Sequence, residues 1–266
     1  MIGPIIGDFC GSPYEGRPAP KNLTQLLSPA CRWSDDTVLS VATAEALLDG
    51  RTDAAGFAEY YMSWGNRYPL AGYGPGFAGW LAVGDPTQRR ASWGNGSGMR
   101  AGPIGWVASS LSECLALANE SASVTHGHPD GIRGAQAVAG GVFLARHGQS
   151  DGEIKRWFTD TFGWAVPEWD ISLANRGWDA SCAGTLPLAF SAFFGAASFE
   201  DALLRACRFG GDADTIDAMA GALAEARFPV PSSLALPVLA SLPKDMTAVV
   251  ERFELRWPAV QARKDV

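Results

Sequence analysis

The stretch FGGDADTIDAMAGAL, Phe209 to Leu223, decides the fold class. Ile216, Met219, Ala220 and Leu223 recur at steps of three and four residues, the spacing of one face of an α-helix. The same stretch sets a chemical problem. Asp212, Asp214 and Asp217 crowd the front of an apolar segment, directly behind Gly210 and Gly211. One acid there is ordinary, because aspartate caps helix N-termini and suits the positive end of the helix dipole. Three acids call for an opposite charge nearby.

The helical pattern extends outward from this segment. Val38, Val41, Ala42, Ala44, Leu47 and Leu48 put an apolar stripe on a helix over about 35–49, with Gly50 as its stop. Val107, Leu111, Cys114, Leu115 and Ala118 repeat at the same spacing, as do Ala135, Val138, Ala139, Val142 and Phe143. Phe199, Ala202, Leu203 and Ala206 make another stripe. Runs of period two are scarce and β-branched residues do not cluster. The expectation is an all-α protein of roughly ten helices.

Composition narrows the function classes. With 47% hydrophobic and 18% charged residues in 266, the chain is globular and can bury a large core. Its net charge of −7 argues against a nucleic-acid surface, which would need basic groups to pair with phosphates. The five cysteines include no CxxC and are odd in number, so neither a disulfide framework nor a zinc ribbon is expected. Three histidines are too few for a His-rich metal site. No apolar run is long enough to span a bilayer, and MIGPIIGDFCG lacks the basic and long apolar regions of a signal peptide. The expected location is the cytoplasm, with no membrane partner.

Two segments between the helices are unusual. YPLAGYGPGFAGW, Tyr68–Trp80, and SWGNGSGMRAGPIGW, Ser92–Trp106, are both rich in glycine and flanked by aromatic residues. Glycine lets backbone amides approach a ligand, and aromatic faces can stack on a flat ring. Two readings stand: the glycines turn the chain between helices, or they wrap a ligand.

A second acidic cluster lies in RWSDDTVLSVATAEALL, Arg32–Leu48, where Ser34, Asp35, Asp36 and Thr37 open a helix. Both clusters place a threonine directly after an acid, in Asp36-Thr37 and Asp214-Thr215, ahead of an apolar helix. Carboxylate and hydroxyl oxygens suit hard divalent cations such as Mg²⁺ or Mn²⁺. Each cluster alone is also consistent with Ser34 or Asp214 as an N-cap and solvated neighbours. The clusters lie far apart in the chain, and spacing alone does not bring them together. In GDFCGSPYEG, Asp8 and Glu15 are expected on a bend. Asp8 could cap the first helix, and Glu15 could be a general base or a salt-bridge partner.

GDFCGSPYEG, WSDDT, AGYGPG, GNGSGMR, THGHPDG and GGDADT, in this order, resemble the ADP-ribosylglycohydrolase family. The resemblance covers about Ile2 to Ala226 and leaves the residues after it unmatched. It implies a single compact, orthogonal multi-helix domain, here residues 1–266, and a hydrolase that cleaves the glycosidic bond between ADP-ribose and its conjugate. It also implies two divalent cations, Mg²⁺ or Mn²⁺. Their ligands would be Ser34, Asp35 and Asp36 from the first acidic motif and Asp212, Asp214 and Thr215 from the second. Glu15, Asp35 and Asp212 would carry the catalysis, Glu15 by accepting a proton from water. Gly72, Gly74 and Gly76 would wrap the diphosphate and ribose. Asn95, Gly96, Ser97, Gly98, Met99 and His126 would contact the ligand. Asp217 falls outside the motif and is expected to be solvated or behind the ligands. His128 and His147 are expected to be surface or structural.

The partner implied is an ADP-ribosylated protein or a small ADP-ribose conjugate, with arginine the first choice of leaving group. Departures from the family pattern are Ser34 where threonine is common, Pro75 within the first glycine segment, and Gly98 where alanine is common. No acidic position is lost. The rival readings are an inactive ADP-ribose-binding module and a structural protein of the same fold.

Overall fold

The computed structural model describes residues 1–20 and 22–258. The described residues form helices and no strand; only two isolated bridges occur, Ala91 with His126 and Gly94 with Ser181. In chain order the helices are α1 Ile2–Gly11, α2 Asp35–Leu48, α3 Ala54–Arg67, α4 Pro75–Val83, α5 Gly96–Met99, α6 Ile104–Val107 and α7 Leu111–Ser123. They continue with α8 Pro129–Arg146, α9 Asp151–Phe162, α10 Cys182–Phe193, α11 Phe199–Cys207, α12 Ala213–Glu225, α13 Ser232–Ser241 and α14 Lys244–Arg256. The all-α expectation holds, but there are more helices than the apolar stripes suggested. The extra ones include α4, α5 and α6, which are short and begin inside the glycine-rich segments. The stripe from Val107 to Ala118 is not one helix. Ser110 caps α7 by accepting from the Glu113 amide, and Val107 is the last residue of the preceding helix α6.

The opening stretch lies at the centre of the molecule. Every residue of α12 is buried, the acids included. α12 packs against α1, α8, α10 and α11, so it has no solvent face for its charges. Gly210 and Gly211 ahead of it have φ of +62° and +65°, which admits few side chains. A Cβ on Gly211 would also lie 2.1 Å from the Gly177 carbonyl oxygen. The Gly-Gly pair thus turns the chain sharply into α12 and admits a second loop beside it.

α1 meets α12 backbone to backbone. Gly3, Gly7 and Gly11 lie one helical turn apart and face Gly221, Asp217 and Ala213. A Cβ on any of the three would come within 2.5 Å of a carbonyl oxygen on α12. This contact brings the buried carboxylate of Asp8 beside the start of α12. Asp8 therefore lies inside a helix, near its C-terminal end, and neither on a bend nor at a cap.

α2 begins with Ser34 as its N-cap, whose Oγ accepts from the Asp36 amide. α14 packs on α2 through Met246, Val249, Val250 and Phe253, and Arg252 pairs with Asp49 at 2.9 Å. All five cysteines are free thiols, and all but Cys31 are buried. No helix among the described residues is long and apolar enough to cross a membrane.

Candidate active site

The N-termini of α2 and α12 meet. Thr215 Oγ1 donates to Asp36 Oδ2 at 3.3 Å, joining the two acidic clusters directly. Carboxylate oxygens of Asp8, Asp36 and Asp214 lie within 4.8 Å of one another, all buried. The three acids differ in how they are satisfied. Asp8 accepts from the Ser34 amide at 2.8 Å, Ser34 Oγ at 2.7 Å, the Thr37 amide at 3.1 Å and Thr37 Oγ1. Three of the four donors fall on Oδ2 and one on Oδ1, so Oδ1 keeps room for a further partner. Asp8 thus anchors the start of α2 and takes the Ser34 proton, so that one Ser34 lone pair, besides the one that accepts from the Asp36 amide, is left to coordinate. Asp36 is the opposite case: its Oδ1 is buried with no hydrogen-bond partner among the described residues.

Crowding of like charges in a dry floor disfavours ionisation. Burial, then the charge of Asp214, holds the Asp36 carboxyl well above its ordinary range. Burial and the neighbouring Asp212 do the same to Asp214. Burial and Asp8 push Asp35 up to about 8. Asp212 is pushed up to about 6 by burial, opposed by the hydrogen bond from Asn95 Nδ2 at 2.6 Å. Two helix dipoles favour negative charge here but do not offset this repulsion. An orphaned carboxylate oxygen, clustered acids and adjacent hydroxyls form the donor set of a hard divalent cation.

Above this floor opens a cleft of about 680 Å³. Glu15, Asp35, Asp36, Asp212, Asp214 and Thr215 line it. So do Gly72, Gly74, Gly76, Asn95, Gly96, Met99 and His126, which brings most of the expected site residues to one place. Ser34 stands just behind the floor. Ser97 and Gly98 do not line the cleft. Ser97 Oγ is buried and donates to the Gly131 carbonyl at 2.6 Å. Gly98 packs towards α12, where an added Cβ would lie 3.1 Å from Met219 Sδ. Both residues shape the packing beneath the glycine segment rather than its ligand-facing surface.

Asp217 is fully buried, so of its two expected places, in solvent or behind the ligands, the first fails. Its carboxylate oxygens lack a conventional hydrogen-bond partner among the described residues. Burial raises its pKa well above the ordinary range, against the opposing effect of the Cys207 thiol and amide. His128 caps α8, and His147 stacks on Phe143 at the far end of that helix, both structural roles. Glu15 sits at the rim, its side chain 39% exposed and 3.4 Å from Arg32 Nη2.

Several lining residues escaped the sequence reading. Tyr73 and Phe77 stack at 5.1 Å on one wall, and Trp178, 59% exposed, stands on the cleft margin. Nothing marked Trp178 among ten tryptophans. Arg100 and Thr125 also reach the cleft. The signal for Arg100 was present, as a cation closing the otherwise uncharged run GNGSGM.

An all-α fold with two acidic helix N-termini under a glycine-walled cleft defines the class of protein: a helical domain built around an acidic, cation-suited pocket. More narrowly, the chain belongs to the ADP-ribosylglycohydrolase family, which it matches over residues 1–255. The match runs past Ala226 and takes in α13 and most of α14. The chain is 30% identical to an uncharacterised protein of Archaeoglobus fulgidus, over 87% of each chain. It is 26% identical to the ADP-ribosylarginine hydrolase Tri1 of Pseudomonas putida, over 86% of this chain and 70% of that one. Against the ADP-ribosylhydrolase ARH3 of Bos taurus, identity is 28% over 58% of this chain and 50% of that protein, so the match spans half of that relative. A solved structure described as an ADP-ribosylglycohydrolase-related protein complex superposes with a TM-score of 0.73 at 25% identity, covering 95% of this chain and 94% of that one.

Proposed function

We propose that this chain hydrolyses the glycosidic bond between ADP-ribose and a modified side chain, with arginine as the first candidate leaving group. The observation that carries this reading is the junction of Asp36, Asp214 and Thr215 on the floor of the cleft. Ser34, Asp35 and Asp36 from α2 and Asp212, Asp214 and Thr215 from α12 would hold two divalent cations, Mg²⁺ or Mn²⁺. Bound there, the cations supply positive charge that offsets the acids and orients a sugar diol.

The chain's own residues would do the rest. Asn95 fixes Asp212 through its amide, so the acid keeps one orientation. Gly72, Gly74 and Gly76 leave a side-chain-free wall against which a diphosphate can lie. Tyr73, Phe77 and Trp178 offer faces for the adenine. Glu15 accepts the proton of the attacking water, whose hydroxyl bonds to the anomeric carbon as the bond to guanidine nitrogen breaks. That proton ends on the departing guanidine. The paired carboxylates stabilise positive charge developing at the anomeric carbon.

Arginine is supported by the named activity of Tri1, which this chain matches along most of its length. The test is incubation with Mg²⁺ and arginine- or serine-linked ADP-ribosyl peptides, with Asp212→Ala in parallel, reading released ADP-ribose. Release from the arginine linkage, lost in the variant, is expected. No release from either peptide, with no binding of ADP-ribose, would overturn the proposal.

A further inference from the structure

His126 is buried but for an edge that faces the cleft. Its ring is held from behind. Thr125 Oγ1 lies 2.8 Å from His126 Nδ1, and Arg100 Nη2 lies 3.0 Å from the same Oγ1. Arg100 Nη2 also donates to the Ser121 carbonyl at 3.1 Å, and its guanidinium carbon sits 4.1 Å from the Tyr61 ring centroid. Arg100 is fully buried between these groups.

Donor and acceptor capacity fixes the protons. A guanidinium only donates, so Thr125 Oγ1 is an acceptor towards Arg100. Its second lone pair could accept from His126 Nδ1–H, but the threonine's own proton would then have no acceptor among the described residues, whereas an unprotonated His126 Nδ1 takes it. Nδ1 is then unprotonated, and the neutral ring carries its proton on Nε2. Nε2 has no partner among the described residues. It lies beside Gly96, where an added Cβ would come within 3.1 Å of it. Gly96 therefore leaves open the path from Nε2 into the cleft.

We infer that Arg100 and Thr125 are positioning residues that lock His126 as an Nε2–H donor aimed at an acceptor oxygen of the bound ligand. Two features make the device one-directional. The fixed positive charge of Arg100 opposes a second proton on the ring, and the threonine removes the tautomer that would present a lone pair to the cleft. The site then offers a neutral donor to a phosphate or sugar oxygen, without a mobile charge beside the acidic floor. The identity of that ligand, an ADP-ribosyl group, rests on the function proposed above; the tautomer does not.

The experiment is long-range ¹H–¹⁵N NMR of the ¹⁵N-histidine protein, which separates protonated from unprotonated ring nitrogens, together with ADP-ribose titration in Mg²⁺. The samples are the unsubstituted protein, Thr125→Val and Thr125→Ser. The expected spectrum has His126 protonated at Nε2 alone. Thr125→Val mixes the tautomers and weakens ADP-ribose binding about three- to tenfold, the scale of one neutral hydrogen bond. Thr125→Ser restores both. A proton on Nδ1 in the unsubstituted protein, or an unchanged His126 spectrum in Thr125→Val, would overturn the inference. An Nε2–H spectrum without ADP-ribose binding would keep the lock and overturn the assigned ligand.

Discussion

Replacing Gly7 with alanine tests whether the contact between α1 and α12 builds the acidic floor. The added Cβ would sit 2.0 Å from the Asp217 carbonyl oxygen, 2.4 Å from its carbon and 2.7 Å from the Ala218 nitrogen. All three atoms are backbone, so no side chain can swing away. Ordinary contact begins near 3.4 Å, so the helices must part by more than 1 Å locally. Overpacking of this kind costs about 1–3 kcal/mol, and a rigid backbone neighbour places it at the upper end. Alanine returns about 1 kcal/mol through helix propensity. The net expectation is a loss of about 2 kcal/mol in urea denaturation. A second effect follows from the neighbouring residue. Asp8 holds Ser34 and Thr37, so displacing α1 pulls on the start of α2 and spreads the acids. Stabilisation by Mg²⁺ in thermal melts should fall together with stability. Gly79→Ala in α4 is the control: nothing lies within 4 Å of its added Cβ, and a gain of about 0.5–1 kcal/mol is expected. Gly7→Ala as stable as the unsubstituted protein, or more so, would refute the reasoning.

Asp36→Asn should raise the melting temperature of the metal-free protein, because a dry carboxylate facing Asp214 is removed, and should abolish the rise produced by Mg²⁺; retention of that rise would place the cation elsewhere. The metal-free protein should also lose stability as pH increases. Asp212 and Asp35 have folded pKa values raised from 3.8 to about 6 and about 8, so their contribution is complete below their unfolded values and is lost as pH rises through those two points. Thermal melts from pH 5 to pH 9, flattened by Mg²⁺, would show this, whereas a melting temperature that climbs with pH would contradict it. Asp217→Ala should stabilise the fold by about 1 kcal/mol, since it removes a buried carboxyl with only the Cys207 thiol and amide to oppose its burial and adds a better helix former; a lower urea midpoint would mean that the Cys207 contacts outweigh the cost of burial.

The helices and the acids of the floor were legible because both are written locally. A stripe at steps of three and four marks α2, α8, α11 and α12, and an acid pair before a threonine marks where two of them start. What the chain does not write locally is which helix ends meet. Asp36 and Thr215 touch where α1 packs on both α2 and α12, and α1 can pack so closely on α12 because Gly3, Gly7 and Gly11 carry no side chains. That four-residue repeat was visible, but it carries no hydrophobic signal, so a reading based on apolar periodicity passes over it. Asp8 was misplaced for the same reason. Among glycines and a proline it reads as a bend, yet the glycines serve close helix packing, and Asp8 accepts four hydrogen bonds from the start of α2. Asp217 shows the converse limit. An acid four residues from a helix start reads as solvated only if the helix has a wet face, and α12 has none, because its neighbours enclose it on every side. Burial of a whole helix is a property of the assembly around it. The stripe on α12 reports one face of that assembly and is silent about the other.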